Sequence, residues 1–265
     1  MRIERLSTEN LREGIFCARG RKHGEEMYVQ LEAWLKGELL RGQIARAEDG
    51  EVAGFILYYP IEDAPLDFDG EGVYVVQCLF VKPKFQNGGI GKALIETALA
   101  DAKAAGGTGI AAEGFHPHDG PDSGVMPGGF FGHVGMTPGE SRGSGTLYYV
   151  SFNNASDPPR YLAPEEIEIP RATPRLKIDV LDCRRCHLAI DKRDLIEAVI
   201  DGVGAEKIDL EVHDTTSRET ILDKGMSSGV FIDGKLTFFG MPLTEEDVWR
   251  AIEVAMSARE QATDR

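Results

Sequence analysis

The stretch from residue 73 to residue 107 constrains the fold of this chain more than any other. Residues 73–81 form an apolar run with the composition of a buried strand, and the glycine-rich turn Gln86-Asn-Gly-Gly-Ile-Gly91 follows it. Apolar residues then recur at a helical spacing as far as Gly106 and Gly107, where a helix C-terminus is expected. These apolar positions are Ile90, Leu94, Ala98 and Ala102. The pattern predicts a strand, a tight loop and a helix in succession.

A strand that leads through glycines into a helix N-terminus forms a binding site for anions. The first amides of a helix have no partner within the helix, and the helix dipole places positive charge there. Glycines let a phosphate group approach the backbone because they carry no Cβ. Lys84 and Lys92 add positive charge beside the turn. The residues alone thus predict a phosphate-binding loop without indicating its class.

The glycine spacing excludes two common classes of phosphate-binding loop. Ala93 follows Lys92 at the position where an ATP-binding P-loop needs a hydroxyl for its metal ion. Gly88, Gly89 and Gly91 do not fit the dinucleotide pattern G-x-G-x-x-G. The turn resembles instead Q/R-x-x-G-x-G/A, the motif with which GNAT acetyltransferases bind the pyrophosphate of acyl-CoA. The alternative is a glycine-rich turn without a ligand, because short motifs also match by chance.

The order of predicted elements resembles the GNAT fold over residues 1–152. These elements are a strand at residues 3–6, helices at 10–17 and 25–40, a hairpin of 43–47 and 52–59, the strand–loop–helix unit, a strand at 109–113, a helix at 129–136 and a final strand at 146–152. The resemblance implies an α/β (α+β) fold with a mixed, mostly antiparallel sheet.

The resemblance also implies acetyl-CoA as the acyl donor and assigns residues to it. The pyrophosphate would bind backbone amides of Gln86, Asn87, Gly88, Gly89, Ile90, Gly91 and Lys92. The pantetheine would pair with the strand edge at Leu79, Phe80 and Val81 by main-chain hydrogen bonds. The N–H of Leu79 would polarise the thioester carbonyl. The same three residues can also belong to the core, since their side chains can pack while their backbone binds.

Acetyl transfer to an amine needs a base for the amine and a proton for the departing thiolate. The predicted base is Glu113, at the end of the strand that, by the resemblance, splays away from residues 79–81; the alternative is an exposed strand-end acid without a catalytic role. The family's thiolate-protonating tyrosine corresponds here to Phe131, so that acid is absent. Its possible replacements are Tyr148, Tyr149, His116, His118 and His133, and spacing singles out none of them.

The sequence pattern changes after residue 152. Five prolines and a cluster of acidic residues predict a semi-rigid linker at residues 153–176. Residues 177–259 predict the order β-α-β-α-β-β-α with Cys183-Arg-Arg-Cys186 at the first strand–helix junction, and residues 260–265 are a tail. This order resembles the thioredoxin fold. Three segments, Trp34-Leu-Lys36, Gly54-Phe55 and Gln77-Cys-Leu-Phe-Val81, resemble those of the bacterial GNAT subgroup with a YoaP-like C-terminal domain. Ser228 stands where thioredoxin-like proteins have a cis-proline, which speaks against ordinary disulfide exchange.

The cysteine pair itself predicts thiol chemistry. A helix N-terminus and the guanidinium groups of Arg184 and Arg185 favour a thiolate, so the sequence predicts a lowered pKa for the Cys183 thiol. Such a pair suits redox exchange or a soft metal ion, for which His187 and His213 are candidate further ligands. The alternative is that the two cysteines are vestigial and have no present role in a domain that serves for docking.

The charge balance narrows the range of partners. The 265 residues include 29 basic and 44 acidic side chains, and the net charge of −15 argues against nucleic-acid binding. The acidity suits a cationic or amine substrate, and the alternative is that it serves solubility alone. No apolar run has the length of a membrane span or a signal peptide, and four cysteines fit a reducing compartment. The sequence therefore predicts a cytoplasmic protein without membrane partners, and it indicates neither the acceptor nor the oligomeric state.

Two functions are consistent with these features. The first is an acetyl-CoA-dependent N-acetyltransferase that moves an acetyl group to the amine of a small molecule or peptide by direct attack on the thioester. Its C-x-x-C domain would serve redox chemistry or bind substrate or metal. The second is a thiol or soft-metal protein whose GNAT half is a non-catalytic acyl-CoA scaffold. The intact loop favours the first, and the absent tyrosine favours the second. No metal site is predicted at His116-Pro-His-Asp119, since a second ligand cluster is missing.

Overall fold

The computed structural model of the chain describes residues 1–116, 125–152, 157–162, 175–239 and 243–263. The chain divides into two compact units. The first consists of Met1–Arg19 and Tyr28–Leu162, and the second of Gly20–Met27 and Ala163–Arg265. Each unit contains a sheet and a hydrophobic core of its own.

The elements of the N-terminal part follow the predicted order. The strands are β1 (Arg2–Arg5), β2 (Arg41–Arg46), β3 (Val52–Pro60), β4 (Phe68–Asp69), β5 (Val73–Val81), β6 (Gly109–Phe115), β7 (Thr137–Arg142), β8 (Gly145–Ser151) and β9 (Arg160–Tyr161). The helices are α1 (Leu11–Gly14), α2 (Gly24–Lys36), α3 (Ile90–Ala104) and α4 (Gly128–His133), with 3-10 turns at Phe16–Ala18 and Pro83–Phe85. The predicted strand, glycine turn and helix are confirmed as β5, the loop after it and α3.

Seven of the described strands form one sheet in the order β1-β2-β3-β5-β6-β8-β7. Neighbouring strands are antiparallel except β5 and β6, which pair in parallel. The predicted mixed, mostly antiparallel sheet is therefore confirmed. A parallel pair needs a crossover connection, and the glycine loop with α3 supplies it.

One face of α3 packs on this sheet. The positions predicted from the helical spacing, Ile90, Leu94, Ala98 and Ala102, are all buried. Leu94 and Ala98 belong to a core that also contains Ile56 and Val76 from the sheet. Burial of a side chain such as Leu94 stabilises the fold by about 1.5–3 kcal/mol. This packing fixes the N-terminus of α3 at the end of β5.

The edge strand β7 was not expected from the sequence. The structure pairs it with β8 through a turn at Gly143, whose φ is +60°. The segment Thr137-Pro-Gly-Glu-Ser-Arg142 is mostly exposed, so it lacks the alternation that reveals a half-buried strand. Pro138 is tolerated because an edge strand leaves some N–H positions without a ladder partner. Helices α1 and α2 also end earlier than predicted, at Gly14 and Lys36.

Part of the predicted linker belongs instead to the first unit. Residues 160–161 form β9, which pairs with β4 and places Tyr161 opposite Phe68. The two rings make an edge-to-face contact with centroids 5.6 Å apart, and both side chains are buried. The prediction of a linker is therefore wrong at these residues, because an aromatic pair anchors them. Residues 153–156 and 163–174 lie outside the described part of the chain.

The C-terminal unit has the predicted element order. Its elements are β10 (Leu176–Asp182), α5 (His187–Val203), a 3-10 turn (Ala205–Lys207), β11 (Ile208–Asp214), α6 (Arg218–Lys224), β12 (Gly229–Ile232), β13 (Lys235–Phe238) and α7 (Glu245–Thr263). The sheet order is β11-β10-β12-β13, with β10 and β11 parallel and the other pairs antiparallel. Apolar residues of α5 and α7 form one core with alternate residues of β10 and β12, so both helices cover the same face.

The last helix begins with a capping box. Asp247 N donates to Thr244 Oγ1 at 3.2 Å, and Thr244 N donates to Asp247 Oδ2 at 3.1 Å. The helix extends to Thr263, so part of the predicted tail is helical. Within the described residues, no helix combines the length and the apolar composition that crossing a membrane requires.

Candidate functional site

Strands β5 and β6 diverge in the middle of the sheet. They pair from Val73 opposite Gly109 to Val76 opposite Ala112, and no further. Beyond this point β5 continues along β3 as far as Val81, and β6 continues along β8 as far as Phe115. The β6 side of residues 79–81 therefore lacks a strand partner among the described residues. An open strand edge of this kind can pair with an extended ligand by main-chain hydrogen bonds.

A bulge in β5 marks the start of the divergence. Val76 lies opposite Tyr58 and Cys78 lies opposite Leu57, so Gln77 is the extra residue. The Tyr59 hydroxyl donates to Gln77 Oε1 and fixes that side chain. Bulges bend a strand and often lie next to functional sites. No local pattern indicates this bulge, because the apolar run continues through it.

The side chain of Leu79 packs against the core, as the sequence analysis allowed for residues 79–81. It lies opposite Ile56 in the β3 ladder and packs against the core beneath α3. Phe80, one residue later, points to the other face, where it contacts Phe55 and Phe16. Lys82 N donates to Ala53 O of β3, so by the alternation of an antiparallel ladder the Phe80 backbone pairs with β3 and that of Leu79 faces the gap left by β6.

The glycine loop has the backbone geometry of an anion site. Asn87 and Gly89 have positive φ values of 61° and 78°, and Gly89 is the N-cap of α3. Residues 86–89 are exposed, and the first amide bonded within the helix is that of Ala93, which donates to Gly89 O at 3.0 Å. The amides from Gly89 to Lys92 thus precede the hydrogen-bonded part of α3.

Two contacts hold this loop next to the open strand edge. Gln86 Nε2 donates to the carbonyl oxygen of Val81 at 3.0 Å, which ties the loop to the end of β5. A Cβ on Gly91 would lie 3.2 Å from the Phe130 ring, so α4 packs closely on the start of α3. The loop, the end of β5 and α4 therefore surround one region.

The lysines near the loop differ in their surroundings. Lys84 and Lys82 both donate to Glu51, and these hydrogen bonds hold the pKa of Glu51 below its usual range. The charge of Lys84 is thus balanced within the protein. Lys92 is exposed in the first turn of α3, and its Nζ lies 3.8 Å from Glu96 Oε1. A distance of this length leaves the Lys92 ammonium able to contact a bound anion.

Glu113 lies one residue beyond the last pair of the β5–β6 ladder. It is half-buried and lies opposite Leu147 of β8. The Tyr161 hydroxyl donates to Glu113 Oε1 at 2.9 Å. Burial first, and then the charge of Glu113, raise the pKa of Tyr161, so this hydroxyl stays protonated and keeps donating. The sequence could not indicate Tyr161, which comes from the stretch assigned to the linker.

The structure distinguishes among the candidate acids. Phe131 is fully buried, as expected for a core residue. The Tyr148 hydroxyl lies 2.8 Å from His116 Nε2, and the Tyr148 ring contacts the Phe131 ring with centroids 5.8 Å apart. Tyr149, the next residue on β8, points to the opposite face. His133 is exposed at the end of α4, and His118 lies outside the described residues.

The cysteine pair lies in the second unit. Cys183 follows β10 and is fully buried, whereas Cys186 is half-buried at the N-cap of α5. Burial raises the pKa of the Cys183 thiol and outweighs the opposing effect of Arg185. The prediction of a lowered pKa for Cys183 is therefore wrong. The helix N-terminus adjoins Cys186, three residues further on.

The segment before β12 lies next to the cysteine turn. Arg185 Nη1 donates to Ser227 Oγ at 2.6 Å, and the buried Lys192 of α5 donates to Ser228 Oγ at 3.1 Å. Ser228 therefore lies beside the first turns of α5. These contacts join the cysteine turn, α5 and the segment before β12.

The histidines proposed as further ligands do not join the thiols in one cluster. His213 Nε2 lies 2.8 Å from Asp179 Oδ1, in a group with Glu211. Among the described residues, neither group of potential metal ligands contains a cysteine; the other consists of His23, Asp194 and Glu197. Burial lowers the pKa of His187. The expectation that His213 would complete a soft-metal site is thus wrong, because the ladder between β10 and β11 places it with carboxylates.

Comparison with known proteins identifies the first unit. The model of the acetyltransferase (GNAT) family matches residues 8–119. The N-terminal unit belongs to the GNAT acetyltransferase family. The chain as a whole is 24% identical over 239 residues to YoaP, an uncharacterized N-acetyltransferase of Bacillus subtilis (strain 168), and the match spans 87% of this chain and 90% of YoaP. The chain is accordingly an acyltransferase.

Solved N-acetyltransferase structures are similar to part of the chain. The PaiA N-acetyltransferase of Thermoplasma acidophilum in complex with coenzyme A is 18% identical and matches 57% of this chain and 100% of its own, with a TM-score of 0.43. The GNAT-family N-acetyltransferase YhbS of Escherichia coli in complex with CoA is 12% identical and matches 57% of this chain and 80% of its own, with a TM-score of 0.41.

The GNAT unit brings most of the predicted site residues into one region. The glycine loop, the end of β5 and Glu113 surround the divergence of β5 and β6. The residues that sequence reasoning missed are Gln77, at the bulge, and Tyr161, which bonds Glu113. Both acquire their positions from strand pairing between distant segments, for which the sequence carries no local signal.

Proposed function

We propose that this protein transfers the acetyl group of acetyl-CoA to the amine of a small molecule or peptide. The observation that carries the proposal is the divergence of β5 and β6 directly beside the glycine loop. The gap offers main-chain donors and acceptors at Leu79 and Val81, and the loop offers amides at the N-terminus of α3. Together they match an extended ligand with a pyrophosphate at one end.

In this proposal each part of acetyl-CoA contacts a different part of the site. The pyrophosphate accepts hydrogen bonds from the amides between Gly88 and Lys92, where the helix dipole also favours negative charge. The pantetheine pairs with the open edge of β5. The thioester carbonyl then lies near the N–H of Leu79, and this donor stabilises the negative charge that develops on the carbonyl oxygen.

The acceptor amine attacks the thioester carbon from the side of Glu113. Its nitrogen forms a bond to the carbonyl carbon, the carbon–sulfur bond breaks, and the amine gives up a proton. Glu113 takes that proton as the general base, directly or through a water molecule. Glu113 lies just past the point of divergence, and its hydrogen bond from Tyr161 fixes the carboxylate there.

Calorimetry with acetyl-CoA tests the proposal first. The experiment is done on protein with Cys183 and Cys186 reduced and again after oxidation, followed by release of free CoA thiol with polyamines, amino acids and aminoglycosides as acceptors. We expect acetyl-CoA to bind and at least one amine to be acetylated. Absence of binding in both redox states would contradict the proposal. The glycine loop would then be a structural turn without a ligand. Binding in one state alone would mean that the dithiol controls the GNAT unit.

A second function, in the C-terminal unit, is supported by its cysteine pair. We infer that the unit is thioredoxin-like and that Cys186 is its reactive thiol. Cys186 is the more accessible of the two and adjoins the N-terminus of the seventeen-residue helix α5. In exchange with a disulfide, the Cys186 thiolate would attack one sulfur and release the other as a thiolate. Cys183 would then attack Cys186, forming the intramolecular disulfide and releasing the second thiolate.

Thiol labelling distinguishes the two cysteines. Under native conditions, Cys186 is expected to react with iodoacetamide at least about tenfold faster than Cys183, because a buried thiol of raised pKa supplies little thiolate. Mass spectrometry of peptides from timed samples gives both rates. Labelling in urea is the control, since unfolding should make the two rates similar. Faster native labelling of Cys183 would contradict the assignment.

A further inference from the structure

We propose that Tyr148, oriented by His116, donates a proton to the CoA thiolate that leaves in the transfer reaction. This inference rests on the proposed function of the GNAT unit. It assigns a residue to the step for which the family's tyrosine is absent, because Phe131 of α4 stands at that position and has no acidic group. Among the candidates that the sequence could not rank, the structure favours this tyrosine by its position and by its hydrogen bond.

The register of the sheet places Tyr148 at the divergence of β5 and β6. Tyr148 lies opposite Ala112, and Ala112 is the last residue of β6 that pairs with β5. The side chain points to the same face as Leu79, and both contact one core cluster. A thioester whose carbonyl lies near the N–H of Leu79 would therefore bring its sulfur close to this face of the divergence.

Helix α4 connects Tyr148 to the glycine loop. Its Phe131 ring contacts the Tyr148 ring, and its Phe130 ring packs against Gly91. The ligand that extends from the amides of α3 toward Leu79 must therefore run alongside α4. Tyr148 is 7% exposed, so water has little direct access to its side chain.

His116 fixes the Tyr148 hydroxyl and connects it to solvent. Its Nε2 lies 2.8 Å from that hydroxyl oxygen. The ring lies over Gly128, where a Cβ would overlap it, and the His116 N–H donates to Ser144 O at 2.9 Å. The residue as a whole is exposed. One edge of the imidazole is thus held toward Tyr148, and solvent can reach the residue from the other side.

The proton balance of the step is simple. When the carbon–sulfur bond breaks, the sulfur takes both electrons and then accepts the proton of the Tyr148 hydroxyl. The resulting phenolate regains a proton from solvent through the His116 imidazole. The amine has meanwhile given one proton to the base, so no proton is gained or lost overall.

Binding of CoA and desulfo-CoA tests this contact without knowledge of the acceptor. Calorimetry at pH 9 presents CoA with much of its thiol ionised, and desulfo-CoA lacks the sulfur. We expect the protein to bind CoA about tenfold more tightly than desulfo-CoA, because a hydrogen bond to a charged acceptor is a strong one. In Tyr148→Phe the two dissociation constants should become equal within about twofold. His116→Ala should lower the preference to an intermediate value, since the hydroxyl remains but loses its orientation.

Tyr149→Phe is the matched control, since it removes a hydroxyl from the same strand on the opposite face; it should keep the preference for CoA. Loss of affinity for both ligands in Tyr148→Phe, with their ratio unchanged, would assign the residue a structural role and overturn the inference. A ratio near one in the unmodified protein would overturn it as well. Failure of the unmodified protein to bind either ligand would instead refute the proposed function, and this inference with it.

Discussion

Gly88→Asp is expected to weaken acetyl-CoA binding by about 100-fold. The substitution places a carboxylate in the exposed loop whose amides would bind the pyrophosphate. Two negative charges about 4–6 Å apart near a protein surface repel each other by roughly 3–4 kcal/mol at an effective dielectric constant of about 20. Solvent reduces that value, and the remaining repulsion is sufficient for the expected loss.

The same substitution should leave the fold intact. A Cβ on Gly88 would lie 3.5 Å from Phe85 O, an ordinary contact, and the backbone of Gly88 does not have a positive φ. A negative charge near the N-terminus of α3 interacts favourably with the helix dipole by about 0.3–1 kcal/mol. Thermal unfolding should therefore occur at the same temperature or slightly higher. Gly89 is a poorer choice, because its φ of 78° would strain any side chain.

Gly88→Asn is the matched control, because it adds a side chain of the same size without the charge. We expect calorimetry to give an affinity within about fivefold of the unmodified protein for this variant. Equal losses in Gly88→Asp and Gly88→Asn would indicate steric blockage of the loop and not charge repulsion. Unchanged affinity in Gly88→Asp would show that the pyrophosphate does not bind here.

Local patterns in the sequence were sufficient for the central part of the fold. The helical spacing of Ile90, Leu94 and Ala98 predicts α3, since a helix that packs on a sheet must bury one face. The turn before α3 was predictable from its glycines. Gly89 adopts a positive φ at the N-cap, and glycine does so without strain. These signals lie within a few residues of the elements that they specify, and they place the glycine loop at the end of β5.

Features that depend on distant segments were not predictable. The contacts of Tyr161 with Glu113 and of His116 with Tyr148 join residues far apart in sequence, and each follows from strand register. The buried state of Cys183 is of the same kind. Its neighbours Arg184 and Arg185 suggest a thiolate, but desolvation in the folded protein has the larger effect on its pKa. The sequence shows which charged residues neighbour Cys183, but it does not show how much water contacts the thiol in the folded protein.

Glu113→Gln is expected to lower kcat by about 100-fold or more while the affinity for acetyl-CoA stays within about twofold, because general bases contribute about 10²–10⁴ to the rate. Glutamine has nearly the shape of glutamate and retains a carbonyl oxygen, so it can still accept the hydrogen bond from Tyr161. It cannot take a proton from the attacking amine. The loss should therefore appear in the chemical step and not in binding.

The pH dependence of kcat separates a base from a residue that only positions the acceptor. If Glu113 accepts the proton, the activity of the unmodified protein rises with pH as this carboxyl ionises, and that limb of the profile is lost in Glu113→Gln. The measurement uses acetyl-CoA and the best amine from the acceptor panel, with free CoA thiol as the product. A lower kcat with an unchanged pH profile would exclude Glu113 as the base and leave it a positioning role.

Glu140→Gln is the matched control for this measurement. It makes the same chemical change at a nearby carboxylate, which accepts a hydrogen bond from Tyr161 N at 2.9 Å. Glu140 is exposed on the edge strand β7, and the β5–β6 divergence does not include it. We expect its kcat to stay within about twofold of the unmodified protein, as for most surface substitutions. An equally large loss of kcat in Glu140→Gln and Glu113→Gln would mean that both substitutions act by displacing Tyr161, which bonds both carboxylates. Glu113 would then not be the base.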